Sequence, residues 1–424
     1  MIKTIALLVI TGIAFALYTQ AGFVSLLIWV WLSIMMPQAE AYNPAILSYS
    51  NLIAGVATVI FLITTKDKNP ATPNIFTILF FIFTGFVILS QIFSLDSDLS
   101  YSPFRVGITV LFMTYAVLAL VNTKVKIQAL LWVFLISIGY YGVTRGLYTI
   151  ANGGAGYITG PGGTLIADNN QLAVGLAMMV PLSYYLTRTS ADKRARMLTM
   201  GISSLSIVAI IGTHSRGGLI SLGVLVLGLI LRSKNKLLNL LIFIIAIGGA
   251  LPLMPDEWFQ RMDTISHAEE DSSFNGRVEA WNVAIKLSLE HPILGVGAHN
   301  QYFPIYNAHL GTPIMRATHN AYLEILAGHG FLAFGAFLGM MAITLLWCSR
   351  IKKLTKNKNG FLWANDLAGM LQLSMLVYGV GVMALSMEFW FGLWLNMALV
   401  CNLRAIILRE LKLTSTAKMQ RAYA

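Results

Sequence analysis

This chain contains many apolar stretches that, as helices, are about long enough to cross a lipid bilayer. A helix needs roughly 20 consecutive apolar residues to cross the hydrocarbon layer, and stretches that approach this length lie at 46–64, 74–94, 105–121, 128–150, 171–187, 197–213, 217–231, 236–254, 322–348, 362–384 and 389–408. Only 11% of the 424 residues are charged, less than half of the roughly 25% found in soluble domains. This shortage excludes a soluble globular, disordered or fibrous protein. The pattern predicts an all-α integral membrane protein.

The first 36 residues contain two shorter apolar runs, 4–18 and 22–36. Each run is short for a full crossing, so the pair forms either a shallow hairpin or one irregular unit. We therefore predict 12 or 13 transmembrane helices in a single polytopic membrane domain that spans residues 1–424.

The distribution of basic residues predicts the orientation of the helices. Lysine and arginine accumulate in cytoplasmic connections, and most of the 29 such residues lie in alternate connections at 66–68, 124–126, 188–196, 232–236, 350–358 and from 404 onward. The seven histidines and the long segment 255–320 lie on the other side. We predict that this segment is a partly helical insert outside the cytoplasm, where ATP and sugar nucleotides are absent.

The segment Gly-Thr-His-Ser-Arg-Gly-Gly at 212–218 interrupts an apolar region and faces the same side. Its glycines could serve only to turn a helix hairpin. A turn does not need an arginine at membrane depth, however, and a charge there indicates function. A guanidinium group suits bidentate contact with a phosphate, so we predict that Arg216 binds phosphate with His214 and Ser215 beside it.

A glycine-rich segment at 157–164 leads into Ala-Asp-Asn-Asn-Gln at 167–171. The Asp and Asn residues are good N-caps for the following helix, which is a purely structural explanation. The functional interpretation is that the glycines let the backbone approach a ligand while Asn169 and Asn170 form hydrogen bonds to it.

Residues 272–290 are predicted to form a helix that ends at the His-Pro pair of 291–292. Its predicted apolar face consists of residues at helical spacing, namely Val278, Trp281, Ile285 and Leu289. Arg277 lies one turn before Trp281. It forms either a structural salt bridge to Asp271 or Glu279, or a second phosphate contact above the site.

His319 lies at the start of the apolar stretch 322–348, with Thr318 or Asn320 available as a helix cap. A helix N-terminus disfavours the imidazolium form, and a neutral imidazole is what a general base requires. The alternative is a capping or interfacial histidine. Tyr322 is predicted to contact the substrate, and Glu324 to orient a neighbour or pair with an arginine.

A zinc site is not indicated, because none of the histidines at 291, 299, 309, 319 and 329 forms an i, i+4 pair or an HExxH motif. We predict no metal and no cofactor. The clustered basic groups indicate an anionic substrate, and a lipid diphosphate fits best. Further substrate contacts are predicted at basic residues on the same side, namely Arg145, Arg261, His299 and Arg316. Asn320 is also predicted to contact the substrate, and Trp281 either recognises carbohydrate or is an interfacial belt residue.

Several motifs together resemble the O-antigen ligase and polymerase superfamily. They are Ser-Arg-Gly-Gly at 215–218, Asn-Gly-Arg at 275–277 with Trp281, His-Pro-Ile-Leu-Gly-Val-Gly at 291–297, His-Asn-Ala-Tyr-Leu-Glu at 319–324 and Gly-His-Gly at 328–330. Trp-Val-Trp at 29–31 and Asp-Asn-Asn at 168–170 resemble the branch described as O-glycosylation ligases.

The resemblance implies a GT-C type glycosyltransferase that takes glycan from undecaprenyl diphosphate in the periplasm, without a nucleotide or an obligatory metal. It also implies catalytic roles for Arg216, His319 and an arginine of the long loop, for which Arg277 is the best match and Arg261 and Arg316 are rivals.

We therefore predict an inner-membrane O-antigen ligase that transfers glycan to a lipid A-core acceptor and binds no nucleic acid. A polysaccharide polymerase and a protein O-glycosylation ligase share the donor and remain alternatives. A transporter or flippase of an anionic solute is less consistent with charges gathered at one surface and with no detectable inverted repeat.

Overall fold

The computed structural model describes residues 12, 22–37, 45–69, 73–233, 235–238, 240–241, 244, 255–256, 258–259, 272–298 and 317–422. Over these residues the chain is helical. The helices are α1 Val24–Met35, α2 Ala45–Thr64, α3 Ile75–Ile92, α4 Ser97–Leu120, α5 Lys124–Ala151, α6 Asn169–Thr189, α7 Lys193–Gly212, α8 Arg216–Arg232, α9 Ser272–Glu290, α10 Ala321–Thr355, α11 Leu362–Gly381 and α12 Phe391–Ala422, with short 3-10 turns at Asn359–Phe361 and Val382–Ala384. The predicted all-α class is confirmed for the described residues.

Seven segments of the described chain are long and apolar enough to cross a membrane: α3, α4, α5, α7, α10, Asn359–Ala384 around α11, and Phe391–Leu413 in α12. Val24–Met35 and Tyr49–Thr64 are shorter apolar helices. The predicted stretches 171–187 and 217–231 form α6 and α8, which are not among the seven. All of the run 4–18 except residue 12, and most of 236–254, lie outside the described residues, so the count of 12 or 13 crossings stays a prediction.

Most helices begin at a side chain that accepts a hydrogen bond from the first turn and so satisfies a backbone N–H group without an intrahelical partner. These caps are Asn74, Asp96, Thr123, Asp168, Asp192, Ser215 and Asn320. The prediction that an Asp or Asn would cap the helix after the glycine-rich segment is confirmed at Asp168. Of the two candidates near His319, Asn320 is the cap.

Helix α11 is central to the bundle, since it packs against α6, α8, α10 and α12. The fully buried ring of Trp394 on α12 lies 5.2 Å from Phe83 and 6.3 Å from Phe80, measured between ring centroids. Aromatic rings at these separations add to the stabilisation that their burial provides. The helix ends that bear the candidate site therefore rest on a well-packed core.

The predicted helix at 272–290 is confirmed by α9, but its predicted apolar face is wrong. Ile285 and Leu289 are 43% and 66% exposed. The buried face packs against α10 and the segment after α9, and it consists of Ala280, Val283, Ala284 and Leu287. This face combines two small alanines with Val283 and Leu287 and is offset around the helix from the predicted one.

Helix α10 is interrupted at Gly330, whose φ of 79° and ψ of 174° are not helical. The segment 291–298 packs into the interruption, where the amides of Val296 and Gly297 donate to the carbonyls of Ala327 and Gly328 at 2.9 Å. A side chain at 330 would place its Cβ 2.3 Å from the carbonyl oxygen of Ile293. These contacts explain why the two glycine-containing motifs occur together, because a broken helix inside a membrane needs substitute hydrogen-bond partners.

Candidate active site

A cleft of about 280 Å³ opens at the end of the bundle where the α5–α6, α7–α8 and α11–α12 connections meet. Its lining residues within the described chain are Tyr157, Asp168, Asn169, Asn170, His214, Arg216, Gly217, Arg277, Ala384 and Leu385. Two arginines predicted from separate motifs as phosphate contacts, Arg216 and Arg277, thus line one cleft. Both side chains are half-buried.

The α7–α8 turn presents Arg216 at the first position of α8. Ser215 caps this helix by accepting a hydrogen bond from the amide of Gly218 at 2.9 Å. The chain reverses at His214, whose φ of 52° lies in the left-handed region. Gly217 belongs to the first turn of α8, so the explanation that the two glycines merely make the turn is wrong. A non-glycine residue in the left-handed region is strained, and such strain concentrates at functional sites.

The glycine-rich segment between α5 and α6 lies against this turn. The buried imidazole of His214 donates from Nε2 to the carbonyl oxygen of Gly154 at 3.0 Å, since a carbonyl can only accept. Arg145 donates from Nε to the carbonyl oxygen of Thr159 at 3.1 Å. Arg145 is not one of the described residues that line the cleft.

Asn169 and Asn170 line the cleft, and their amides also connect α6 to the α7–α8 turn. Asn169 donates to the carbonyl oxygen of Thr213 at 2.8 Å. Asn170 donates to the carboxylate of Asp168 at 2.8 Å and accepts from the hydroxyl of Ser215 at 2.7 Å. This network fixes the polar wall of the cleft and places a carboxylate on it beside the two arginines.

His319 lies immediately before the cap of α10, and its φ of 46° is also left-handed. Burial of the imidazole, followed by the positive charge of Arg277, lowers the pKa of His319, while Asp168 acts in the opposite direction. His319 nevertheless remains exposed to solvent. The lowered pKa favours the neutral imidazole, with desolvation and a neighbouring arginine as its causes. The contribution of the helix terminus stays a prediction.

The backbone around His319 is held from two sides. The indole of Trp281 on α9 donates to the carbonyl oxygen of Thr318 at 2.7 Å. The hydroxyl of Thr318 donates to the carboxylate of Glu324, which also accepts from the hydroxyl of Ser386 at 2.8 Å. Among the described residues, Glu324 bonds to these two hydroxyl groups and to the backbone amide of Thr318, and not to an arginine. Glu324 thus connects the start of α10 to the α11–α12 connection.

The remaining predicted site residues have mainly structural contacts or lie outside the described chain. Asn320 accepts from the amides of Tyr322 and Leu323, as a helix cap does. The hydroxyl of Tyr322 donates to the carbonyl oxygen of Gly379 on α11 at 2.8 Å. Three predicted contacts fall outside the described residues, namely Arg261, His299 and Arg316.

The sequence prediction did not include Asp168 or the α11–α12 connection among the site residues. Ala384 and Leu385 line the cleft, and Glu388 follows three residues later. Burial, followed by the charge of Glu324, raises the pKa of Glu388. The sequence did offer a signal for Glu388, which is the acidic residue between the apolar stretches 362–384 and 389–408. Because successive connections lie on alternate sides of the membrane, this residue is expected on the same side as His319.

Two family models match the chain. The model described as O-Antigen ligase matches residues 201–338, which contain Arg216, Arg277 and His319. A model described as a family of unknown function (DUF5935) matches residues 2–191, and the chain matches no curated protein sequence. The resemblance to the O-antigen ligase and polymerase superfamily is confirmed over residues 201–338, which match the O-antigen ligase family model.

Proposed function

We propose that this protein is an O-antigen ligase of the bacterial inner membrane, a glycosyltransferase that moves glycan from undecaprenyl diphosphate to a sugar of lipid A-core. The observation that supports it best is the convergence of Arg216 and Arg277 on one cleft with His319 close to Arg277. Glycosyl transfer to a hydroxyl requires cationic groups for the leaving diphosphate and a base for the acceptor. Three motifs that are far apart in the sequence supply these groups together.

The donor occupies the cleft with its diphosphate between the two arginines. The volume of about 280 Å³ is close to the lower limit of roughly 300 Å³ for ligand pockets. It therefore accommodates the reacting headgroup and not the polyprenyl chain, which extends along the apolar outer surface of the bundle. Two guanidinium groups stabilise the negative charge that develops on the leaving diphosphate, the task that a metal ion performs in other transferases.

His319 acts as the general base. Its neutral imidazole accepts the proton of an acceptor hydroxyl while that oxygen attacks the anomeric carbon. The bond from the anomeric carbon to the diphosphate oxygen breaks, and its electron pair leaves on undecaprenyl diphosphate. A single displacement of this kind inverts the anomeric configuration. Trp281 and Glu324 are positioning residues, since both act on Thr318, the residue before the base.

The proposed orientation places the cleft in the periplasm. The basic connections gather at the opposite end of the bundle, where Lys126 pairs with Asp67 at 2.8 Å and Arg409 donates to the carbonyl oxygen of Asn122 at 2.7 Å. Positive connections remain in the cytoplasm, which leaves the cleft on the periplasmic surface where lipid-linked glycans are assembled onto acceptors. The GT-C type fold belongs to the same proposal, and a protein O-glycosylation ligase remains an alternative.

The test is a transfer assay with purified protein and undecaprenyl-diphosphate glycan, with EDTA present throughout. Lipid A-core is offered in one reaction, a protein acceptor in a second, and donor alone in a third. Glycan on lipid A-core supports the ligase and its independence of metal. Lengthening of the donor glycan would make the protein a polymerase, and labelled protein would make it a protein O-glycosylation ligase. Donor binding without transfer in any reaction would favour the transporter.

The base is tested by His319→Gln, with His291→Gln as the matched control. His291 lies at the end of α9, and it is not among the residues that line the cleft. We expect the first variant to lose about 10²- to 10⁴-fold in turnover, as removal of a general base does, while donor affinity and the control remain unchanged. Full transfer by His319→Gln would remove the base assignment and leave the donor site intact.

A further inference from the structure

Two cationic side chains meet one uncharged amide at the end of the bundle opposite the cleft. Arg232, the last residue of α8, donates from Nη2 to Oε1 of Gln372 at 3.2 Å. Lys352, in the last turn of α10, donates from Nζ to the same oxygen at 2.7 Å. No carboxylate of the described residues lies within salt-bridge distance of either cation. Two positive charges thus share a neutral acceptor.

The surrounding contacts hold both cations in place. The amide of Gln372 donates to the carbonyl oxygen of Leu345 at 3.2 Å and to the hydroxyl of Ser349 at 2.8 Å, which orients its oxygen toward the cations. Arg232 also donates from Nη1 to the carbonyl oxygen of Gly369. A Cβ at 369 would lie 2.7 Å from Nη1, so a glycine there leaves room for the guanidinium. This arrangement differs from that of unconstrained surface lysines.

Two like charges held together are stabilised by an anion placed between them. A phosphate group matches the pair well, because a guanidinium can bind two of its oxygens while an ammonium binds another as a point charge. Basic pockets between transmembrane helices on the cytoplasmic side are a known setting for lipid phosphate groups. Arg232 and Lys352 both belong to connections that the sequence predicts to be cytoplasmic.

Exposed apolar side chains on the helices that carry this cluster indicate that the phosphate belongs to a lipid. Helix α11 packs against both α8 and α10. On the bilayer side of the cations these three helices carry leucines that are 44% to 59% exposed, namely Leu227, Leu231, Leu346 and Leu376. Acyl chains would cover this surface when the headgroup lies at the cations. A free phosphate ion would make no use of it.

We propose that Arg232 and Lys352, held over Gln372, bind the phosphate of an anionic phospholipid in the membrane leaflet opposite the cleft. The site is separate from the proposed transferase chemistry, because its two cations lie in the last turns of α8 and α10, at the ends opposite the cleft. Failure of one proposal therefore leaves the other unaffected.

The experiment measures lipid binding to the full-length protein in detergent by native mass spectrometry. Dioleoyl phosphatidylglycerol, dioleoyl phosphatidylcholine and inorganic phosphate are titrated separately. Phosphatidylglycerol should bind about 30-fold more weakly to the double variant Arg232→Gln/Lys352→Gln than to the wild type. This factor is the combined effect on the dissociation constant of losing two basic residues that each attract the anionic lipid. The matched control Arg350→Gln/Lys353→Gln removes two exposed cations of α10 and should retain binding.

An equal loss in both double variants would show diffuse attraction and overturn the site. Equal binding of phosphatidylcholine, or saturation by inorganic phosphate with displacement of phosphatidylglycerol, would overturn the anionic lipid as the ligand. Circular dichroism in lipid-free detergent checks the fold of each variant. If the double variant does not fold, Lys352→Gln alone should weaken phosphatidylglycerol binding about fivefold, and unchanged binding in that variant would overturn the proposal.

Discussion

Replacement of Thr318 by valine tests whether the residue before His319 positions the base. The two side chains have nearly the same shape, so the substitution removes the hydroxyl and little else. The hydrogen bond from this hydroxyl to Glu324 is lost, and the carboxylate keeps the hydroxyl of Ser386 and the backbone amide of Thr318. The backbone of Thr318 is then held by that amide and by the indole of Trp281, without the hydroxyl.

Two magnitudes follow from this geometry. A buried acceptor that loses a donor costs about 1–3 kcal/mol, so the free energy of unfolding should fall by that amount. A displacement of roughly 1 Å at a reacting group costs about 10²-fold in rate. We therefore expect kcat to fall between about 10- and 100-fold. The dissociation constant of the donor should change less than about twofold, because the arginines of the cleft are untouched.

The assay measures turnover with saturating donor and, separately, donor binding by the purified variants. Thr318→Ser should restore most of the turnover, since it restores the hydroxyl. Thr344→Val is the matched control, because Thr344 is equally buried in α10 but bonds only to the carbonyl oxygen of Met340 at 2.7 Å. Wild-type turnover in Thr318→Val, or a parallel loss of donor binding and turnover, would refute the positioning role.

Three further outcomes are expected. Because the pKa of His319 is lowered, its imidazole stays neutral at a lower pH than a free histidine, and the acidic limb of the plot of kcat/KM against pH should lie below about 6.5. Arg277→Gln removes a positive charge that lowers this pKa, so the activity that remains in this variant should show the acidic limb at higher pH. Asp168→Asn should move it to lower pH, since Asp168 raises that pKa, and a shift in the same direction as Arg277→Gln would contradict the electrostatic account. Gly330→Ala should lower the midpoint of thermal unfolding, because its φ is 79° and its Cβ would meet a carbonyl oxygen, whereas Gly335→Ala on the same helix meets nothing within 4 Å and should be neutral.

Much of the fold was predictable because hydrophobic length is a local property. The predicted stretches 74–94, 128–150 and 197–213 became α3, α5 and α7 with boundaries within a few residues, since apolar runs and Asn, Thr or Asp caps lie in the same short windows. The break in α10 was not predicted. It depends on hydrogen bonds to a segment some thirty residues earlier, and no local pattern records that pairing.

The candidate site was likewise predictable only in part. Arg216 and His319 were predicted from motifs that place a charged or titratable residue at a helix start, and the structure shows both at such positions. The roles of Trp281 and Asn169 were predicted as substrate contacts, but their polar groups bond to backbone carbonyls of neighbouring segments. A sequence motif identifies which side chains are unusual, whereas the partner of each depends on contacts between helices that the motif does not contain.

Glu388 illustrates this limit most clearly. A single acidic residue between two apolar stretches resembles an ordinary solvated connection, so the sequence alone favours a surface role. In the structure the Oε2 atom of Glu388 is buried and has no hydrogen-bond partner among the described residues, and the carboxylate lies close enough to Glu324 for the two to interact electrostatically. Because Glu324 is bonded both to Ser386 of this connection and to the residue before His319, the connection contacts the same stretch of backbone that Thr318→Val perturbs. The α11–α12 connection therefore belongs to the support of the proposed base, and a complete account of the site must include it with the motif residues.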